Sequence, residues 1–328
     1  MRTALVLNPG AGASVLAEQK IYEGSLETAL VEMMRGQGIE PEIYYTTIED
    51  SGRGIAAQLA AEHVELVIAV GGDGTIHSVA HGLIGSESVL GIIPAGTMNN
   101  LARSLGIPEN LEDACALFTN GEARAIDVGR INQHVFLEVA GVGLEAALFP
   151  SAEAVKSRGL LSTFTGMLNG LRALLAFKPP KMSLTFDSQM PRTYRAMQVT
   201  VCNAPYYGPH LNVAAEIYMN DGWLDVVIYT RFKKIEYIRH AISITKGRRV
   251  LTPKIIRRRA KTLRISTSRS EAVEIHADGT VHGSTPVDIT IIPAALKVQV
   301  PKGPVIGLQT EIKQQQMREI WKRRNAYV

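Results

Sequence analysis

Along the first 125 residues the apolar positions change period again and again. Residues 3–7 (TALVL) and 66–70 (LVIAV) are short unbroken apolar runs, and residues 42–46 and 90–94 read as strands too. Between them, residues 16–37, 54–62 and 76–84 carry apolar side chains at helical spacing. Strands alternating with helices at this pitch predict an α/β domain over residues 1–125, a parallel sheet with helices on both faces. From Ala125 the texture changes. Residues 125–132, 134–140, 181–187, 195–202, 223–230, 262–267, 272–277 and 287–293 read as short strands joined by turns. They predict a β-rich antiparallel second domain over 126–300, with the tail 301–328 packing back on the first domain. One helix interrupts this run: Leu160, Leu161, Phe164, Met167, Leu168, Leu171, Leu174 and Leu175 form a single stripe. It reads as a core helix first and as a lipid-facing or cleft-lining helix second. Residues 311–324 suggest a short amphipathic helix ending in Lys322, Arg323 and Arg324.

Composition supports two cores, since 328 residues with 46% hydrophobic side chains exceed one ordinary domain. No apolar run approaches the roughly 18 to 20 residues that span a bilayer, and the start lacks the h-region of a signal peptide. The expectation is a cytoplasmic protein. Cys115 and Cys202 lie far apart without CxxC spacing, which argues against a zinc site or a disulfide framework. The formal charge is only +4, yet Lys246, Arg248, Arg249, Lys254, Arg257, Arg258, Arg259 and Lys261 crowd one stretch. Such a cluster suits phosphate, nucleic acid or an anionic membrane, or else a solvated strand edge or helix face.

Three predicted strand ends carry loops suited to ligands: NPGAGAS, GGDGT and PAGTMNN. In open α/β sheets ligands gather at the carboxyl ends of the strands. A loop that leaves a buried strand and opens a helix aims backbone N–H groups at whatever lies above it, and glycines let the backbone approach closely. Gly71, Gly72, Gly74 and Thr75 therefore read as a phosphate cradle. Asp73 would repel phosphate unless a cation lies between, which points to magnesium. A plain tight turn with an Asx hydrogen bond is the alternative. The pattern is neither GxxxxGK[ST] nor GxGxxG, which disfavours a P-loop or a dinucleotide fold.

In order, NPGAG, GGDGTIHSVAHGL and LGIIPAGTMNNLARSLGIP resemble the catalytic domain of the diacylglycerol kinase superfamily, to which bacterial soluble lipid kinases, sphingosine kinases and ceramide kinases belong. FLEVAGVGLEAAL, MNDGWLDVVIY and ADGTVHGSTPVDITIIPAALKVQVP resemble the later blocks of the bacterial members, so the likeness runs to about Lys302. It implies a two-domain kinase with ATP and magnesium as cofactors. By matching position, Asn8, Thr46, Gly71, Gly72, Asp73, Gly74, Thr75, Gly96, Thr97 and Asn99 would line the nucleotide site. Asp221, with main-chain oxygens of Tyr218 and Trp223, would hold a structural magnesium. The acceptor would be a lipid hydroxyl at a membrane surface, diacylglycerol-like or sphingoid, with peripheral membrane association and no nucleic-acid partner; a homodimer stays open.

This chain departs from the family's pattern near the chemistry. The usual DGE, whose glutamate is regarded as the base, reads Asp278, Gly279, Thr280. Asn100 stands where GTxND has its aspartate, and His77 and Ser78 replace the common Asn-Glu. On an extended segment His276, Asp278 and Thr280 would share one face, making Asp278 or His276 substitute bases. His210 reads as a loop residue. Two further readings follow: a degenerate kinase that binds nucleotide or lipid as a regulatory protein, and a kinase of a soluble acceptor, as in NAD kinases.

Overall fold

A computed structural model describes residues 1–11, 25–144, 176–207, 211–212, 217–230, 236, 255–268 and 272–309. The expected stripe at 160–175, His210, the tail helix at 311–324, and Lys246, Arg248, Arg249 and Lys254 of the basic cluster lie outside these residues.

The first unit alternates as its pattern predicts. Strands β1 (Thr3–Leu7), β2 (Glu42–Tyr45), β3 (Leu66–Gly71) and β4 (Val89–Pro94) pair in parallel in the order β4-β3-β1-β2. Helices α1 (Leu26–Gly36), α2 (Arg53–Ala61), α3 (Asp73–Leu83), α4 (Asn100–Ser104) and α5 (Leu111–Asn120) connect and cover them. The pleat decides which side chain meets which helix layer. Leu5, Leu7, Ile68 and Val70 pack with Leu30, Met34, Cys115 and Phe118 of α1 and α5. Ala4, Val6, Val67 and Ala69 pack with Ala56, Leu59, Ile76, Val79 and Leu83 of α2 and α3. Each fully buried Leu or Ile contributes about 2 kcal/mol of hydrophobic stabilisation. Ser25 caps α1 by accepting the Thr28 N–H at 3.2 Å, and Asn110 caps α5 in the same way through Asp113.

The second unit is β-rich. It holds β5 (Glu122–Ile131), β6 (His134–Phe136), β7 (Val139–Gly143), β8 (Lys181–Phe186), β9 (Arg192–Cys202), a small β10–β11 hairpin (Tyr206–Tyr207 with Leu211–Asn212), β12 (Leu224–Thr230), β13 (Ile255–Ala260), β14 (Thr262–Ser266), β15 (Glu274–Ala277), β16 (Thr280–Ser284) and β17 (Val287–Val300). Its core gathers Val199 and Val201 of β9, Val226 and Ile228 of β12, Leu263 and Ile265 of β14, and Ile289 of β17. The described end of the basic cluster is β13, so Arg257, Arg258 and Arg259 belong to a strand paired with β12.

The two units share one sheet through β17. β5 pairs antiparallel with it on both sides of a bulge, β14 pairs antiparallel with its first half, and its second half also lies parallel to β4 at Lys297–Val89 and Val298–Leu90. The sequence pattern ends this strand at Pro293, where the register does shift, between Ile292 and Leu296, and Ala294 takes φ 51°. Proline within a sheet is tolerated at such a bulge, so the strand resumes beyond it. The buried Asp127 holds the bulge: its carboxylate accepts N–H from Ala294 at 2.8 Å and from Gly222 at 2.7 Å.

A second difference falls at 134–140, expected as one strand. The chain breaks between β6 and β7, because the N–H groups of Leu137, Glu138 and Val139 turn toward the Asp278 side chain.

Candidate active site

The carboxyl ends of β1, β3 and β4 lie side by side, and their three loops are tied by side chains the sequence singles out. Asn8 donates from Nδ2 to Thr75 Oγ1 at 3.0 Å, and its Oδ1 accepts the Gly10 N–H at 2.9 Å. Asp73 opens α3, one residue after its cap Gly72, and its carboxylate accepts the N–H of Asn99 at 3.0 Å and of Asn100 at 2.7 Å. Asn99, in a left-handed conformation with φ 49°, closes the third loop by accepting the Gly96 N–H and donating to the Gly96 carbonyl, both at 3.0 Å. Gly96 and Gly72 touch backbone to backbone: a Cβ added to Gly96 would sit 2.5 Å from the Gly72 Cα. These glycines are therefore needed for the approach of the two loops. Gly74 and Thr97 are exposed above them, and Thr46, just past β2, joins the row by donating its N–H to the Leu7 carbonyl at 2.9 Å. Asn100, replacing the family's aspartate, serves through its backbone N–H.

One turn along α3 from Asp73, His77 reaches the second unit. Its Nε2 lies 2.8 Å from Glu138 Oε1, and its Nδ1 lies 3.8 Å from Asp278 Oδ2. Ligand atoms of Asp73, His77 and Glu138 all fall within 4.8 Å of one another. Burial alone would lower the His77 pKa, but the charges of Asp278, Glu138 and Asp73 outweigh it and push the imidazole up to about 9. Burial pushes Glu138 up to about 7 against the pull of His77. His81, the next turn of α3, is driven down to about 4 by burial and stays neutral. His77 entered the sequence reading only as a departure from the family's pattern, and Glu138 did not enter it at all. The available signal was a lone carboxylate inside the apolar run FLEVAGVG.

Around the DGE position the expected geometry fails. Residues 276, 278 and 280 do not share an extended face, because Asp278 and Gly279, with φ 43° and 84°, form the two-residue turn of the β15–β16 hairpin. Asp278 is a backbone pin instead. Its Oδ2 accepts the Leu137 N–H at 2.7 Å, and its Oδ1 accepts those of Glu138 and Val139 at 3.0 and 2.9 Å. Those bonds fill Oδ1 and take one lone pair of Oδ2, so the carboxylate is held in place by the backbone it pins. Thr280 is exposed, and His276 is fully buried.

Asp221 also differs from its expected role. Its Oδ2 is ion-paired with Arg259, its Oδ1 accepts the Trp223 N–H at 3.1 Å, and Arg259 reaches Asp225 at 3.5 Å. Both oxygens are engaged, and the buried carboxylate already has a guanidinium as its cation. A magnesium ion there would have to displace Arg259, so the donor set does not fit the metal as arranged. A separate cavity of about 840 Å³ lies in the second unit, at the other end of β7 from Glu138. Phe177, Pro179, Pro180 and Val273 give it apolar walls, and Lys178, Lys181 and Arg195 add positive charge.

A parallel sheet that brings three glycine loops to one edge, joined to a β-rich unit that meets them through Glu138 and Asp278, has the architecture of a two-domain phosphotransferase. Comparison with known proteins identifies both units. Residues 2–131 match the diacylglycerol kinase catalytic domain, and residues 139–300 match the YegS C-terminal NAD kinase beta sandwich-like domain. The chain is 28% identical over 305 residues to the diacylglycerol kinase of Bacillus subtilis, covering 92% of this chain and 97% of that one. It is 28% identical over 257 residues to that of Mycobacterium tuberculosis, covering 76% and 81%. A crystal structure of a diacylglycerol kinase from Bacillus anthracis shares the fold, with TM-score 0.68 at 22% identity over 92% of this chain and 97% of that one.

Proposed function

We propose that this protein transfers the γ-phosphate of ATP, accompanied by magnesium, to the hydroxyl of a lipid. The observation that carries the reading is the joined pair of loops, with Gly72 against Gly96 and the Asp73 carboxylate bridging to Asn99 and Asn100. Bare backbone at a helix start is where phosphates dock, and a neighbouring carboxylate suits the magnesium that travels with them. The acceptor oxygen forms its bond to phosphorus as the bond to ADP breaks. Because this transition state is loose, positioning and charge neutralisation dominate, and the hydroxyl proton can leave late, to solvent. No helix among the described residues is long and apolar enough to cross a membrane.

The test is transfer of labelled γ-phosphate to diacylglycerol, sphingosine and ceramide in mixed micelles, with NAD as a soluble acceptor. Labelled lipid that vanishes in Asp73→Ala supports the reading; label in NAD alone replaces it with a soluble-acceptor kinase. A regulatory, nucleotide-binding reading is favoured by one observation, that Asp278 is consumed as a pin while Thr280 offers no carboxylate. ATP binding without transfer to any acceptor would select it.

A further inference from the structure

We propose that Asp73, His77 and Glu138 form a protein-ligated site for a first-row divalent cation of the manganese or zinc type, one that fills without nucleotide. Three observations converge. The ligand atoms come from two units and lie within 4.8 Å of one another, with His77 Nε2 and Glu138 Oε1 already at 2.8 Å. Ligands about 2.1 Å from a common ion stand roughly 3 to 3.4 Å apart, so the pair is near ligand spacing, and Asp73 completes the set by closing as much as about 1.5 to 2 Å.

Each ligand is also held from behind. Two N–H groups of α4 fix the Asp73 carboxylate. Each of its oxygens keeps a second lone pair for an ion. Asp278 accepts the Glu138 N–H at 3.0 Å and fixes the backbone that carries this ligand. The same Asp278 lies 3.8 Å from His77 Nδ1, beyond hydrogen-bond length but near enough for its charge to favour a proton on Nδ1, which leaves Nε2 for the metal.

Charge is the third observation. Among the described residues, the carboxylates of Asp73, Glu138 and Asp278 surround one imidazole, and the two outer ones are already satisfied by backbone N–H groups. Among the described residues the Glu138 carboxylate has His77 as its one side-chain partner, in a side chain only 4% exposed. A divalent ion would neutralise it and Asp73 together while taking the imidazole as a neutral ligand. One imidazole nitrogen with two carboxylate oxygens selects manganese or zinc over magnesium and calcium, which prefer all-oxygen sets. With three protein ligands, positions stay open for water or a phosphate oxygen. The site stands apart from the Asp221 position, where Arg259 is the cation.

The experiment is titration of full-length, chelator-stripped protein with Mn²⁺ in the absence of nucleotide, following the loss of the free-ion signal by electron paramagnetic resonance, with Zn²⁺ as competitor. The expected result is one equivalent bound. Affinity should fall at least tenfold in His77→Asn and in Glu138→Gln, and stay unchanged in Asp221→Asn. Where a variant does not fold, electron spin-echo detection of ¹⁴N coupled to Mn²⁺ in the native protein answers directly, because among the described residues only His77 brings a ligand nitrogen to the site. Absence of binding, binding indifferent to both substitutions, or bound manganese without nitrogen coupling would leave His77 and Glu138 as an internal ion pair and overturn the proposal.

Discussion

Replacing Asp278 by alanine should cost about 3–5 kcal/mol. The carboxylate accepts three main-chain N–H groups at 2.7 to 3.0 Å from Leu137, Glu138 and Val139, and its side chain is 7% exposed. A hydrogen bond to a charged acceptor is worth about 1.5–3 kcal/mol, and a stranded buried donor costs about 1–3 kcal/mol. Three full losses would exceed the estimate, but water can enter the space left by the side chain and re-satisfy part of the set. The left-handed φ of 43° adds a penalty of about 1 kcal/mol for alanine and little for asparagine. Asp278→Asn should therefore be milder, at about 1–3 kcal/mol. It keeps one oxygen for Glu138 and Val139 and sets an amide N–H against that of Leu137. The assays are the shift of the urea midpoint and amide hydrogen exchange at residues 137–139, which reports the pin even where unfolding of the two units is not concerted. Both variants within about 0.5 kcal/mol of the parent, with unchanged protection at those three amides, would refute the pinning argument. Asparagine that leaves stability and protection intact yet abolishes turnover would return Asp278 to the role of base.

Gly96→Ala places a Cβ 2.5 Å from the Gly72 Cα, where backbone must yield; separation of the loops should weaken ATP binding by about tenfold, or 1.4 kcal/mol, while Gly74→Ala, whose Cβ meets no protein atom within 4 Å, should leave the melting temperature near the parent's. Arg259→Met strips the cation from Asp221, whose side chain is 4% exposed. Removing one partner of a fully buried pair costs about 3–5 kcal/mol; with Arg259 itself 35% exposed, melting should show about 1–3 kcal/mol. Millimolar magnesium should recover part of that loss in the variant and do nothing for the parent. Burial alone would raise the Asp50 pKa, but N–H groups of Gly52, Gly54 and Ile55 pull it below the usual 3.8. A depressed acid stabilises above its unfolded pKa and loses that contribution as pH falls through its folded value, so Asp50→Asn should flatten the acid limb of a stability-against-pH curve below about 3.8. Cys115 is fully buried with its thiol pushed up to about 12, and Cys202 is equally enclosed. A thiol reagent should modify neither in the native protein and both after denaturation.

What the sequence determined by itself is local. The unbroken apolar runs and helical patterns up to Pro94 predict β1 to β4 and the helices between them, because a strand's buried faces and a helix's apolar stripe are written within a few neighbouring residues. The loops at Asn8, Asp73 and Gly96 were legible for the same reason: glycines beside a strand end constrain the backbone whatever surrounds them, and their order carried the family. Tertiary structure decided where the charges meet. His77 and Glu138 are 61 residues apart, Asp278 reaches Leu137 across 141, and Arg259 reaches Asp221 across 38. No spacing encodes such encounters; they follow from β15 pairing with β7 and β13 with β12. The turn at Asp278 shows the limit most plainly. Read as extended, DGT presents a carboxylate outward; folded as a hairpin turn, it aims that carboxylate at three amides of a distant strand, because buried N–H groups must be satisfied and this side chain is the one in reach.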